Sequence, residues 1–325
     1  MTPRSEQSHA VAAPDARTPA LWTGTGAVPE RLRGAVCAIG NFDGLHLGHK
    51  ALLAAAAEAG ARLGRPVGLI TFEPHPRSFF RPDVPVFRLS PAGLRRDLAA
   101  EHGCEAVAEL PFNAAFAAQS AGRFIDDLLI GQLDVAGVAV GADFAFGRGR
   151  EGDVTLLRRV LEASGRVVLV VPPVVDANGI AVSSSRIRTA LAAGDVALAN
   201  NLLGHRWRLR GEVVHGDKRG RLLGYPTANM VLSPGNQLRH GIYAVRLRID
   251  GIWRPAVASF GSRPTFDDGA PRLESFVFDF AGDLYGQTLD VEFVGWIRPE
   301  EKFADMAALV AQMDRDSAEA RRITA

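Results

Sequence analysis

Two histidines, His46 and His49, stand three residues apart in GNFDGLHLGHK (40–50), behind a glycine-rich turn and ahead of an alanine-rich run. Imidazoles so placed could hold a metal, relay a proton or donate N–H groups to an anion. A zinc pair would want a third ligand and usually a glutamate base, but HLGH is not HExxH and no cysteine is near. A helix N-terminus, by contrast, presents free N–H groups and a positive dipole end, each favouring an anion by roughly 0.3–1 kcal/mol when exposed. Two imidazoles add donors there, and Gly48 leaves room for close backbone approach. A second group of this kind lies in VSSSRIR (182–188). Ser184, Ser185 and Arg188 fall where a loop enters a helix, so hydroxyls, N–H groups and a guanidinium converge on an anion. Standing alone, the same residues would serve equally as a turn, a serine N-cap and a solvated arginine.

The elements must bring these groups to one place. From about 34 to 190, short apolar runs (AVCAIG, PVGLITF, AVAEL, VAGVAVG, VVLVVPPVV) alternate with helical segments near 49–62, 91–102, 117–129 and VTLLRRVLEASG. Strands that are apolar almost throughout and alternate with helices predict a parallel sheet covered on both faces, a doubly wound, Rossmann-like α/β domain. AVCAIG reads as the first strand and the helix opens at about Leu47, so both imidazoles stand at the strand's carboxyl end, where open α/β sheets place ligands. After SRIRTALAAGDVALANNLLG (185–204), one or two short helices, the texture changes. RWRLRGEVVHG, GIYAVRLRIDGIWRPAVASFG, RLESFVFDF and QTLDVEFVGWIR alternate polar and apolar residues with turn signals such as Ile249-Asp250-Gly251. This reads as an antiparallel β-barrel with a closing helix over about 300–322.

The bulk properties set bounds. A chain of 325 residues predicts two domains. Hydrophobic residues at 47% and charged residues at 22% describe a soluble globular protein. A net charge of +1 gives no reason to expect nucleic acid or a membrane surface as partner. Cys37 and Cys104 are too few for a disulfide framework and too far apart for a CxxC element, which suits a reducing cytoplasm. The first 33 residues carry scattered charges and prolines without an apolar core segment, and read as a disordered tail rather than a signal peptide. No apolar stretch reaches the roughly 18 residues of a membrane span.

GNFDGLHLGH, TFEPHPRSFF (71–80), FNAAFA (112–117), VGADFAFGRGREGD (140–153) and VSSSRIR occur in one order over most of residues 35–190. Together they resemble the adenylyltransferase module of the bacterial bifunctional riboflavin kinase/FMN adenylyltransferase family, whose histidine signature is HxGH. The resemblance implies that Gly40, Phe42, Asp43, Gly44, His46, Gly48, His49, Ser184, Ser185 and Arg188 bind the phosphates of ATP. His46, His49 and Arg188 would stabilise the charge on the leaving pyrophosphate. Asn113, Asp143 and Phe144 would hold the flavin. Ser185 stands where the family usually carries threonine, a change that keeps the hydroxyl.

VVHGDKRGRLLGYPTANM (213–230) resembles the riboflavin kinase motif of the same family, with GIYAV, SRPTF, ESFVFDF, DLYG and VGWIRPE following in its order. It is not a P-loop, since GxxxxGK[ST] does not occur. The resemblance implies that the turn containing Gly216, Gly220 and Gly224 folds over the nucleotide phosphates with Pro226, Thr227 and Asn229. Pro226 fixes its own φ, and the Thr227 hydroxyl and Asn229 carboxamide are hard oxygen donors suited to Mg²⁺. Glu274 matches the family's catalytic glutamate, the proton acceptor that a kinase acting on an alcohol needs. Ser259 replaces an asparagine common in the family and Phe276 a frequent histidine, which leaves the choice among flavin analogues open.

The expectations are therefore a tail at 1–33, an FMN adenylyltransferase domain at 34–190, a helical linker at 191–205 and a riboflavin kinase barrel at 206–325. The substrates would be ATP, riboflavin and FMN with Mg²⁺. Neither nucleic acid nor membrane is expected as partner, and a transient homo-oligomer is left open. The alternatives are the same scaffold with one module inactive or acting on an analogue, and a non-enzymatic flavin or nucleotide-binding regulator.

Overall fold

The structure, a computed structural model, describes residues 18–216, 225–232, 235–262 and 271–325. Strand β1 is Ala20–Trp22, followed by β2 (Val36–Ile39), β3 (Val67–Glu73), β4 (Ala106–Pro111), β5 (Gly137–Gly141) and β6 (Val167–Val171). β2 reads VCAI and is buried at every residue, which suits a strand covered on both faces. The sheet order is β1-β4-β3-β2-β5-β6, with parallel pairings throughout. Strand order runs one way from β2 to β4 and the other way from β5 to β6, so the crevice for a ligand opens beside β2.

Helices α1 (Leu47–Leu63), α2 (Pro76–Phe80), α3 (Ala92–Ala100), α4 (Ala114–Ala117), α5 (Ala121–Arg123) and α6 (Val154–Ala163) belong to this half, with a π-helix at Phe124–Gln132. On one sheet face, Leu52, Leu53 and Ala56 of α1 and Leu94 and Leu98 of α3 pack on Val36, Ala38 and Leu69. On the other, Phe124, Ile125, Leu157 and Leu161 pack on Cys37, Ile39 and Val138. Residues 18–33 depart from the expected tail. Ala20–Trp22 pairs in parallel with β4, Trp22 and Leu32 are buried, and AVCAIG is thus the second strand. A three-residue edge strand is too short to show periodicity and is fixed by the ladder beside it.

Helices α7 (Ser184–Ala193) and α8 (Val196–Leu203) follow. The barrel strands are β7 (Arg208–Val214), β8 (Ala228–Val231), β9 (Gly241–Ile249), β10 (Ile252–Ser262), β11 (Pro271–Val277) and β12 (Thr288–Arg298). They close in the order β10-β11-β8-β7-β12-β9, antiparallel throughout. β11 alternates buried with half-buried residues, the period-2 pattern its sequence predicts. β8 was not legible as a strand, because Ala228–Val231 follows directly on the turn signals of Gly224, Tyr225 and Pro226. The closing helix spans Met306–Thr324 and starts where the Asp305 side chain accepts the Ala308 N–H. Ile187, Leu191, Leu202 and Leu203 share one apolar cluster with Leu209, Tyr243 and Phe293. α7 and α8 therefore pack against the barrel in one continuous apolar cluster with it.

Candidate active sites

Two imidazoles dominate the start of α1. His46 is its N-cap, with extended backbone, and Nδ1 accepts the His49 N–H at 3.3 Å. A ring nitrogen that accepts carries no proton, so neutral His46 carries its N–H on Nε2. The two rings stack with centroids 3.7 Å apart and planes 15° apart. A Cβ on residue 48 would lie 3.1 Å from the His46 ring, so Gly48 keeps that ring in place rather than only admitting a ligand. Burial lowers the His46 pKa to about 4, against the opposing pull of Asp43. Burial, then His46 and Arg95, hold His49 well below the ordinary range. Both rings are neutral near pH 7, and the buried His49 Nδ1 has no hydrogen-bond partner.

Some residues of the loop face inward rather than toward a phosphate. Phe42 is fully buried in the core beneath α1, its ring 4.9 Å from that of His49. Asp43 is 1% exposed. Its carboxylate accepts the Leu89 and Ser90 N–H groups at 3.2 and 2.9 Å and Arg188 Nη2 at 2.5 Å. The Gly44 N–H donates to Ser90 Oγ at 2.9 Å. These three expected phosphate contacts are thus occupied by protein: a carboxylate would repel a phosphate, and the Gly44 donor is already used. Gly40 remains at the cavity wall described below.

Ser184 and Arg188 reach the same place from α7. Ser184 Oγ donates to the Asp43 carbonyl at 2.9 Å, and Arg188 Nε donates to the Phe87 carbonyl at 2.6 Å. Ser185 is exposed on the first turn. Behind them lies a network the sequence did not disclose. Arg88 grips Glu73 with two 2.9 Å bonds, and Arg95 Nη2 donates to Glu73 and Glu109. His75, whose pKa burial lowers to about 4, lies among Asp43, Arg88 and Arg188. The signal was available only as TFEPHPRSFF, in which no spacing says that Glu73 and His75 face Asp43.

Beside Gly40 and Asn41 opens a cavity of about 770 Å³ lined by Phe72, Phe80, Phe112, Phe116, Phe124, Asp143, Phe144 and Phe146. Arg77, Arg148 and Arg150 also border it. Asp143 and Phe144 both border this cavity, with Phe144 stacked on Phe146 at 5.3 Å. Asn113 does not line it; its Oδ1 accepts the Phe116 N–H at 2.9 Å and caps α4. Asn113 thus orients a helix that bears a wall residue.

In the barrel, β8 and β11 put Asn229 opposite Glu274 in register. A cavity of about 720 Å³ is lined by His215, Gly216, Pro226, Thr227, Asn229, Phe280, Asp283 and Tyr285 among others. A crevice of about 120 Å³ holds Thr227, Ser259, Glu274 and Phe276, with Met313, Asp316 and Ser317 of the C-terminal helix. Thr227 borders both. Asn229 Nδ2 donates to the Thr227 carbonyl and hydroxyl oxygens at 3.2 Å each. A Cβ on residue 216 would lie 2.7 Å from the Asn229 carboxamide, so only glycine lets the turn approach. Gly220 and Gly224 lie outside the described residues. Asp283 and Tyr285 of DLYG, read from sequence as turn residues first and site candidates second, border this cavity, and His215, whose ring lies 3.9 Å from that of Tyr285, was not anticipated there. Among the described residues no group of three His, Cys, Asp or Glu could hold a metal ion.

A doubly wound parallel sheet with stacked histidines at a helix start, joined to a closed six-stranded barrel, defines a two-module nucleotide-handling protein. The family model described as FAD synthetase matches residues 28–186, and that described as riboflavin kinase matches 203–324. A bifunctional riboflavin kinase/FMN adenylyltransferase of Pseudomonas fluorescens is 42% identical over 90% of this chain and 94% of its own length. Its counterpart in Escherichia coli strain K12 is 41% identical over 89% and 92%. A solved Streptococcus pneumoniae structure, described as a macrolide-efflux protein, superposes with a TM-score of 0.82 at 32% identity, over 94% of this chain and 99% of that one. Among the described residues of this chain no helix is long and apolar enough to cross a membrane. The chain belongs to the bifunctional riboflavin kinase/FMN adenylyltransferase family.

Proposed function

We infer that the chain makes FAD in two reactions: riboflavin and ATP give FMN and ADP in the barrel, and FMN with a second ATP gives FAD and pyrophosphate in the parallel-sheet module. We assign the second reaction to residues 34–190, preceded by the 18–33 segment, and the first to 206–325, with 191–205 between them. The observation that carries this reading is the meeting of His46, His49, Ser184 and Arg188 at the carboxyl end of β2, beside an aromatic cavity of isoalloxazine character.

In adenylylation an oxygen of the FMN phosphate attacks the α-phosphorus of ATP, and the bond to the β-phosphate oxygen breaks. The nucleophile is already an anion, so no protein base is needed. Neutral His46 and His49 donate N–H groups to phosphate oxygens, and incoming negative charge draws both rings toward protonation. Arg188, the Ser185 hydroxyl and the free N–H groups at the start of α7 meet the departing pyrophosphate, while the Ser184 hydroxyl, which donates to the Asp43 carbonyl, ties that helix start to the histidine loop. Phe144, Phe116 and their neighbours take the flavin ring, with Asp143 at its polar edge. Asp43 holds Arg188 in place.

In the kinase reaction the ribityl 5′-hydroxyl attacks the γ-phosphorus, ADP leaves, and Glu274 accepts the hydroxyl proton. The nucleotide lies in the larger cavity and the ribityl end enters the crevice, whose volume is below the roughly 300 Å³ usual for whole-ligand pockets. The Thr227 hydroxyl and the Asn229 carboxamide oxygen fit Mg²⁺, which favours oxygen donors, keeps several waters and leans on substrate phosphates rather than a protein cage. The ion would offset phosphate charge. Free, buried Cys37 and Cys104 suit a reducing cytoplasm.

Incubating the chain with riboflavin, ATP and Mg²⁺ and separating FMN from FAD tests this. Both flavin nucleotides should form, and chelation with EDTA should stop the kinase step. Formation of FMN alone would retire the adenylyltransferase assignment, and conversion of supplied FMN without phosphorylation of riboflavin would retire the kinase.

A further inference from the structure

Four consecutive residues, Phe87–Ser90, hold Arg188 together with its supports Asp43 and Gly44. The Phe87 carbonyl accepts Arg188 Nε, the Leu89 and Ser90 N–H groups bind the Asp43 carboxylate, and Ser90 Oγ accepts the Gly44 N–H. The Leu89 carbonyl in turn accepts the indole N–H of Trp207 at 2.9 Å, a buried bond. Trp207 precedes β7 of the barrel. It is 2% exposed and wedged between Phe87, edge-on at 5.9 Å, and Phe293 of β12 at 4.8 Å. Its own N–H is held by Asn200 Oδ1 at 2.7 Å, and Asn200 Nδ2 donates to the Phe293 carbonyl. The backbone of Trp207 is therefore anchored by α8 and its ring rests on Phe293 of the barrel, while the indole N–H and the other ring edge reach Leu89 and Phe87 of the sheet module.

We propose that Trp207, a residue of the kinase half, is a positioning residue for adenylylation: through Leu89 it sets the strap that holds Asp43 and Arg188. The proposal rests on the assignment of FAD formation to the sheet module. The physical reason is that a buried carbonyl that loses its donor costs more than the bond itself was worth, so the strap would shift to find a new partner. Such a shift moves Arg188 and Asp43 together. The strap does not line the aromatic cavity, so flavin affinity should be insensitive to it.

The test is Trp207→Phe, which keeps an aromatic ring and removes the donor, beside Ser90→Ala, which loosens the strap without touching the barrel. In Trp207→Phe, kcat for FAD formation from FMN should fall about tenfold, the scale of a small misplacement transmitted to a site. KM for FMN should stay the same, and riboflavin phosphorylation by the same protein should stay within about twofold. Ser90→Ala should show the same kcat-selective loss, and the double variant should lose less than the product of the two single losses, as residues acting through one element do. Equal losses in both activities, a raised KM for FMN, multiplicative losses in the double variant, or unchanged FAD formation would each overturn the proposal. Failure of the underlying reading looks different, because the unsubstituted chain would then form no FAD.

Discussion

At the end of β2, three arginines (Arg88, Arg95, Arg188) and three carboxylates (Asp43, Glu73, Glu109) interlock in one network centred on the buried Asp43 and Arg95. Around Thr227, the cavities among the described residues are lined by no arginine or lysine and offer hydroxyls, the Asn229 carboxamide, His215 and the carboxylates of Glu274, Asp283 and Asp316. The contrast follows the chemistry. Adenylylation brings an anionic nucleophile to an anionic triphosphate and releases a third anion, so fixed cations must be in position beforehand and balanced while the site is empty. The kinase attacks with a neutral alcohol, needs a base, and can take its cation along with the nucleotide.

The sharpest way to break that contrast is Glu274→Gln. FMN formation should drop by about 10²–10⁴, the worth of a positioned base, while FAD formation from supplied FMN persists; a product assay with each flavin substrate reads both. Arg188→Ala is the mirror image, with FAD formation reduced by about 10²–10³ and riboflavin phosphorylation intact. Arg188→Lys should recover little, because a single compact ammonium replaces the rigid fork whose Nε and Nη2 bind the Phe87 carbonyl and Asp43 separately. Equal loss of both activities in either variant of a folded protein would dissolve the distinction between the sites.

Gly48→Ala should cost less. The new methyl meets the His46 ring at 3.1 Å and displaces it by tenths of an ångström, so FAD formation should slow about tenfold without altering KM for FMN. The smallest effect concerns stability. His205, buried near Lys50 and Arg208, is lowered from 6.5 to about 3. Between those values the unfolded chain binds more protons than the folded one. Stability therefore rises with pH through this window, is complete above about 6.5 and is lost progressively below it. His46 and His75 act in the same sense. His205→Gln should narrow the difference in Tm between pH 7.5 and pH 5 by a few degrees, seen by thermal unfolding at both pH values.

How much was legible can be judged residue by residue. The apolar runs announced β2 to β6, and strict alternation announced β11, because side-chain period follows directly from backbone geometry. β1 and β8 were not announced: each is three or four residues long and is made a strand by its neighbour's ladder. His46, His49, Arg188, Asp143, Phe144, Thr227 and Glu274 were all picked out by type and motif. Asn113 turned out to be a helix cap, and Phe42, Asp43 and Gly44 to be internal supports, since a motif records which residues occur together but not which way each one points.

The chain's own order thus determined the two-module plan, the strand textures and the identity of the chemically able side chains, all of which depend on local spacing. Only the tertiary structure decided that Glu73, Arg88 and Arg95 stand behind the histidines, that Thr227 borders both barrel cavities, and that Trp207 of one half holds Leu89 of the other. Those relations join residues as far apart as Trp207 and Leu89, 118 positions. Burial and charge pairing across such separations are set by how layers stack, which no local pattern encodes.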